Sequence, residues 1–116
     1  MTHYAVEVTD TAMAAIIAHA RFIAIDRKEP LNAQGWLEAA WDAAQSLHAM
    51  PARCAIATET DFAPYAVRYI MAGNTALLFT IDDDHQVVWV IALRGKGQLP
   101  RPEQLPKRLA SLHGDT

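Results

Sequence analysis

The residues best suited to binding chemistry are the cations that follow residue 93. Residues 94–108 contain five lysines and arginines and one acid, a balance of +4. Residues 1–93 contain five basic and eleven acidic residues, a balance of −6. A short basic segment on an acidic body can attract an anionic partner, whereas a protein that binds nucleic acid broadly is usually basic overall. The segment therefore indicates either a local anion-binding region or a solvated, flexible tail.

The other reactive residues form no recognised catalytic or metal-binding pattern. The five histidines lack ligand spacing such as HExxH, and the only cysteine, Cys54, has no Cys/His/Asn signature. The acidic turn at residues 82–85, DDDH, lacks the spaced ligands of a calcium loop. Residues 95–97, GKG, lack the long spacing of a phosphate-binding loop. We therefore expect no metal site and no cofactor, and the sequence assigns no catalytic residue.

Composition predicts one small globular domain. The chain has 116 residues, of which 52% are hydrophobic and 20% charged, so burial of a single core is expected. It has no apolar run of 18 residues, and its N-terminus carries acids rather than the basic start of a signal peptide. With one cysteine, no internal disulfide is possible. We expect a cytoplasmic protein that does not enter the membrane.

The first half of the chain predicts a strand and two helices. Residues 4–8 alternate as a strand, and Thr9 or Asp10 can cap the helix that follows. Pro30 ends that helix, and a second helix with a 3.6-residue apolar period begins near Asn32 and stops before Pro51. The short connection predicts an antiparallel helical hairpin. We expect core packing for its two tryptophans, Trp36 and Trp41.

The second half predicts a loop and three strands. Residues 51–65 are rich in turn formers, with a short edge strand at 54–57, and strands follow near 66–71, 75–81 and 86–93. The tight turns between them make these strands antiparallel. In the last strand, alternation places odd-numbered residues 87–93 on one face and even-numbered residues 88–92 on the other, as in a central strand. The predicted class is α+β, with order β-α-α-β-β-β and an antiparallel sheet covered on one face by the N-terminal helical hairpin.

This order of elements resembles the RelE/ParE superfamily of toxins from type II toxin–antitoxin systems. Three stretches carry the resemblance: LHAMPARC at residues 47–54, VRYIMAGNTALLF at 67–79, and VVWV at 87–90 with the basic end RGK at 94–96. The chain looks closer to the ParE branch, which favours the long hairpin and the proline–basic–cysteine loop. One departure stands out, because Thr75-Ala76 occupies the place of a Tyr-Arg pair in the family.

The resemblance implies a toxin that a cognate antitoxin neutralises in a heteromeric complex. The ParE branch inhibits DNA gyrase without being a hydrolase, and Arg68, Arg94 and Lys96 match its basic positions and would face the target. One alternative is a ribosome-dependent mRNA interferase of the RelE type, which would be an RNA endonuclease. Another is a non-toxic member that only binds antitoxin, an interpretation that Thr75-Ala76 favours.

The resemblance also implies a division of the chain. Residues 1–97 would form the toxin domain, and residues 98–116 a basic C-terminal tail with three prolines. This tail either docks on the domain, docks on a partner or remains a free extension.

Overall fold

The first half of the domain is a strand followed by two helices. In a computed structural model that describes residues 3–108, β1 spans Ala5–Val8, α1 spans Asp10–Arg21 and α2 spans Pro30–Ser46. A π-helical segment, Phe22–Asp26, extends α1. No helix of the described residues is long and apolar enough to cross a membrane.

Local signals set the helix ends. The Thr9 hydroxyl accepts a hydrogen bond from the Ala12 amide at 3.1 Å, and this cap starts α1. Lys28, with φ of 55°, turns the chain after the π-helical segment. The second helix begins at Pro30 rather than near Asn32, because proline at the first helical position lacks only an amide that would have no helical partner.

The second half forms the sheet. The strands are β2, Arg68–Ala72; β3, Thr75–Asp82; and β4, Val87–Gly95, and the sheet order is β1-β4-β3-β2. The antiparallel pairing of β2, β3 and β4 is confirmed. The sheet as a whole is mixed rather than antiparallel, because β1 pairs with β4 in parallel.

The direction of β1 follows from where α2 ends. The Tyr4 amide donates to the His48 carbonyl at 2.9 Å, so the end of α2 lies beside the start of β1. The strand β2 then starts from the same end of the sheet, and two hairpins later β4 runs in the direction of β1. Alternation within single strands carries no information on this pairing, which depends on the path of the helices.

Both faces of the sheet are covered. The first face packs on α1 and α2, and its core contains Ile16, Ala40, Leu47, Leu77, Phe79, Val88 and Val90. The second face packs on the loop after α2 and on the end of the described chain, and its core contains Ala57, Val67, Ala76, Leu78, Ile91, Ala92 and Leu105. The predicted edge strand at 54–57 is reduced to one bridge, Ile56 to Arg68.

A β-bulge interrupts β4. Leu78 pairs with Ala92 but Phe79 pairs with Val90, so Ile91 is the additional residue. Ile91 and Ala92 consequently both belong to the second-face core, whereas Leu93 packs against the first. The strict alternation predicted for residues 87–93 is therefore wrong after Ile91.

The C-terminal segment docks on the domain as far as it is described. Leu105 lies in the second-face core, and the Tyr65 hydroxyl donates to the Pro106 carbonyl at 2.5 Å. Residues 109–116, the rest of the predicted tail, lie outside the described residues.

Trp36 connects α2 to the sheet through both packing and a hydrogen bond. Its ring packs against the first-face core, and its Nε1 donates to the Ala72 carbonyl at 3.1 Å. We expect Trp36→Phe to lower the free energy of unfolding by about 1–2 kcal/mol, because a partly buried carbonyl loses its donor. Trp41→Phe is the matched control, since Trp41 is half-buried and its indole has no hydrogen bond within residues 3–108. Urea denaturation of both variants measures the difference, and equal losses would contradict a special role for the Trp36 hydrogen bond.

Candidate functional site

A concave groove of about 500 Å³ lies on the second face, where the C-terminal end of β4 meets the β2–β3 turn. Tyr69 and Met71 of β2, Ala76 of β3, and Arg94 and Lys96 at the end of β4 form most of its wall. The remaining lining residues are Ile56, Thr58, Asn74 and Gly95. The groove thus combines two cations with an aromatic ring and exposed apolar side chains.

Arg94 faces this groove because of the bulge in β4. Without the additional Ile91, alternation would place Arg94 on the same face as Val88 and Val90, against the helices. With it, Arg94 shares the second face with Ala92 and lies directly opposite Ala76. Bulges commonly redirect side chains in this way near functional sites.

A buried glutamate holds Arg94. The Arg94 Nε donates to Glu59 Oε2 at 2.5 Å, and Nη2 approaches Oε1 at 3.4 Å. Glu59 is only 1% exposed, whereas the Arg94 side chain is 26% exposed. A carboxylate removed from water in this way needs a paired cation, so the ion pair fixes the arginine at the edge of the groove. No local sequence pattern indicates this contact, because 35 residues separate Glu59 from Arg94.

Lys96 presents the more accessible charge. It is exposed, and it lines both this groove and a neighbouring cleft of about 580 Å³ between the helical hairpin and the β2–β3 turn. Lys96 therefore lies where the two depressions meet.

Arg68 lies on the opposite face from Arg94. Ile70 and Ala72, which follow Arg68 at alternate positions of β2, pack in the first-face core. The Arg68 Nη1 donates to the carbonyls of Ala52 and Cys54 at 3.2 and 2.6 Å. The structure thus brings together two of the three predicted target-facing cations, and Arg68 anchors the loop after α2. A target-binding role for any of the three stays a prediction.

Thr75 and Ala76 occupy different environments. Thr75 is buried on the first face, with its hydroxyl 3.4 Å from His19 Nε2, whereas Ala76 forms part of the groove wall beside Arg94. Burial, and secondarily the charge of Arg27, lowers the pKa of His19 below its ordinary value. The lowered pKa favours the neutral imidazole beside Thr75.

The remaining reactive residues do not converge. Among residues 3–108, no three histidine, cysteine or acidic side chains are placed to hold a metal ion. In the acidic turn, Asp82 accepts hydrogen bonds from the His85 amide and ring, and Asp83 accepts one from the Tyr4 hydroxyl. Cys54 is half-buried against the first-face core.

The Glu59–Arg94 pair yields a stability prediction. We expect Glu59→Gln to lower the free energy of unfolding by about 1–3 kcal/mol, because a neutral amide loses the charge-assisted hydrogen bonds to Arg94. Glu103→Gln is the matched control, since Glu103 and its partner Arg101 are both well exposed and an exposed pair contributes at most about 1 kcal/mol. Chemical denaturation of the two variants provides the comparison, and a smaller loss for Glu59→Gln than for its control would contradict the prediction.

Comparisons with known proteins agree with this architecture. In solved structures, the chain is similar to a chain of the chromosomal ParDE toxin–antitoxin system from P. aeruginosa, with a TM-score of 0.62 and 12% identity over 81% of this chain and 97% of that chain. It is also similar to a chain of the RelBE2 toxin–antitoxin complex from Mycobacterium tuberculosis, with a TM-score of 0.57 and 23% identity over 84% and 97%. These likenesses confirm the fold class. No curated protein gives a significant match.

The family assignment comes from the sequence itself. Residues 6–100 match the family described as the ParE toxin of the type II toxin–antitoxin system parDE. The match runs from Val6 in β1 to Pro100, past the end of β4, and includes every residue that lines the groove. The resemblance found in the three sequence stretches is therefore confirmed, and the chain belongs to the ParE toxin family within the RelE/ParE superfamily of type II toxin–antitoxin systems.

Proposed function

We propose that this toxin inhibits DNA gyrase and that the groove bearing Arg94 and Lys96 faces its target. The observation that carries the proposal is the placement of both cations on one concave wall beside Tyr69 and Met71, in a chain whose first 93 residues are acidic. Such a wall supplies charge and apolar contact for recognition. An inhibitor that acts by binding needs a recognition surface of this kind. It does not need a set of side chains that transfer protons.

The groove is less suited to RNA cleavage. That reaction needs a group that takes a proton from a 2′-hydroxyl, a group that protonates the leaving oxygen, and cations around the phosphate. The residues that line the groove include no histidine, Tyr69 and Lys96 are the lining side chains that could transfer a proton, and Arg94 is already paired with Glu59. A ribosome-dependent mRNA interferase is therefore the second candidate.

One observation favours a third candidate, a non-toxic family member that only binds antitoxin. Ala76 forms part of the groove wall, directly opposite Arg94, where the family resemblance leads us to expect an arginine. The wall consequently has one cation fewer than expected. A gyrase inhibitor of this sequence has to act through Arg94 and Lys96 without that third charge.

The toxicity of the isolated chain tests the proposal. We expect controlled induction in a bacterial host to arrest growth and activate an SOS reporter, because blocked gyrase leaves broken DNA. Lys96→Glu should abolish arrest at equal protein abundance, whereas Lys107→Glu, at an exposed lysine outside the groove, should not. Lys96 is the preferred site for charge reversal, because Arg94→Glu would place a second carboxylate against buried Glu59.

Other outcomes would decide among the alternatives. Arrest without the SOS response, with messenger cleaved in translating extracts but not as free RNA, would establish the interferase. Normal growth with abundant folded protein would establish the non-toxic module. Arrest that persists in the Lys96→Glu variant would show that the target binds elsewhere.

We also propose a small antitoxin as the partner, because both solved relatives are chains of toxin–antitoxin complexes. The supporting surface is an apolar groove of about 510 Å³ along α1 and the π-helical segment. Ile17, Phe22 and Ile25 remain substantially exposed there, with Ala14 and Ala18 between them. Arg21 and Asp26 flank this stripe. An antitoxin segment that folds on binding would cover it with its own apolar face.

Antitoxin binding can be tested with matched substitutions. We expect Ile25→Asp to weaken binding of the antitoxin encoded beside the toxin gene by at least roughly tenfold, since a charge would enter an apolar contact. Met50→Asp is the control, because Met50 is exposed to a similar degree, 65% against 68% for Ile25, and lies beyond the end of α2. Titration calorimetry with the purified neighbouring gene product measures both. Equal affinities for the two variants would place the antitoxin on another surface.

A further inference from the structure

The chain that follows β4 covers the ion pair at the edge of the groove. Gln98, Arg101 and Gln104 share the wall of a small cavity with Glu59 and Arg94. Burial of Glu59 to 1% exposure thus depends on this segment as well as on the sheet beneath it. We name residues 98–106 the C-terminal strap.

Three anchors hold the strap. The Gln98 side chain accepts a hydrogen bond from the Gly95 amide at 2.8 Å, where the strap leaves β4. Leu105, 8% exposed, packs in the second-face core. The Tyr65 hydroxyl donates to the Pro106 carbonyl, and burial raises the pKa of Tyr65 above its ordinary value.

We propose that Glu59 is a positioning residue for Arg94. The C-terminal strap, anchored by Leu105, excludes water from the Glu59 carboxylate and so strengthens its hold on the Arg94 guanidinium. The proposal rests on the proposed function, because it explains how a target-facing arginine obtains a fixed orientation. It assigns to the strap a role in the site rather than that of a free tail.

The strength of an ion pair depends on the dielectric constant of its surroundings. Attraction between two charges weakens about fourfold when the effective dielectric constant rises from about 20 to the value of water, about 80. Closure of the strap excludes water and strengthens the pair, whereas opening would hydrate Glu59 and release Arg94. The strap has one short 3₁₀ turn, Pro102–Gln104, as its only regular structure within residues 98–106, so we expect it to open more readily than the sheet.

An arginine that is already held in one orientation loses less conformational entropy when it binds a target. Glu59 engages Nε and Nη2, while Nη1 has no hydrogen-bond partner within residues 3–108. The held guanidinium therefore presents its remaining donors in one orientation, and binding loses less side-chain entropy than with a free arginine. Opening of the strap should weaken target binding even though it leaves the charge of Arg94 unchanged.

Solvent exchange of the Arg94 Nε proton, followed by NMR on the full chain, tests the proposal. We expect Leu105→Ala to accelerate this exchange roughly tenfold or more, since the strap would open more often. Glu59→Gln should have the same effect, because a neutral amide holds the guanidinium less strongly than a carboxylate does. Leu105→Met should restore slow exchange, because methionine fills a similar volume. Leu31→Ala is the control, since Leu31 is 82% exposed at the start of α2.

The outcomes separate this proposal from the proposed function. Unchanged exchange in a folded Leu105→Ala protein would overturn the role of the strap, and unchanged exchange in Glu59→Gln would overturn that of Glu59. If the wild-type chain arrests growth, Leu105→Ala should weaken arrest at equal abundance while Leu31→Ala should not, and equal toxicity of the two would overturn positioning. If the wild-type chain does not arrest growth, the gyrase proposal fails, whereas the exchange measurements still decide whether Glu59 and the strap hold Arg94.

Discussion

The central strands carry apolar side chains on both faces, so the sheet has to be covered twice. The helical hairpin covers one face, where Phe79, Val88 and Val90 are completely buried. The hairpin cannot also reach the other face, and there the loop after α2 and the chain after β4 exclude water from Leu78 and Ile91. This second covering brings a loop residue, Glu59, over the end of β4. The candidate site is therefore a consequence of how the sheet is closed.

The covering of the second sheet face does not by itself explain why Glu59 contacts an arginine. The bulge at Ile91 reverses the orientation of every later residue of β4, so that Leu93 turns toward the helices and Arg94 toward the loop. Without that residue the arginine would point into the helical face, and Glu59 would be a buried carboxylate without its cation. One additional residue in one strand thus satisfies a buried charge and gives the groove its first cation.

The features that sequence could predict are those that local periodicity determines. Helical spacing and the tight turns between the last three strands identified the order of elements, the helical hairpin and the antiparallel pairing of those strands. The parallel pairing of β1 depends on where α2 ends, which no strand pattern records. The Glu59–Arg94 contact joins residues 35 apart and depends on the bulge. The pattern of β4 itself gave no sign of the bulge, because every residue from 87 to 93 is apolar.

Thr75 and Ala76 lie on opposite faces of β3, so each has its own structural consequence. The two residues are neighbours in sequence, but Thr75 fills a buried position beside His19, whereas Ala76 borders an open groove. A larger side chain at position 75 would meet His19 and the cleft that Thr75 lines, while an arginine at 76 would enter the groove beside Arg94. An added arginine would also meet a like charge, and Glu59 already has a cation. The departure from the Tyr-Arg pair that the resemblance leads us to expect thus concerns two separate places, the buried contact with α1 and the charge of the groove. Arg94 and Lys96 are the cations among the residues that line this groove, so under the proposed function the orientation of Arg94 matters more than it would in a wall with three cations.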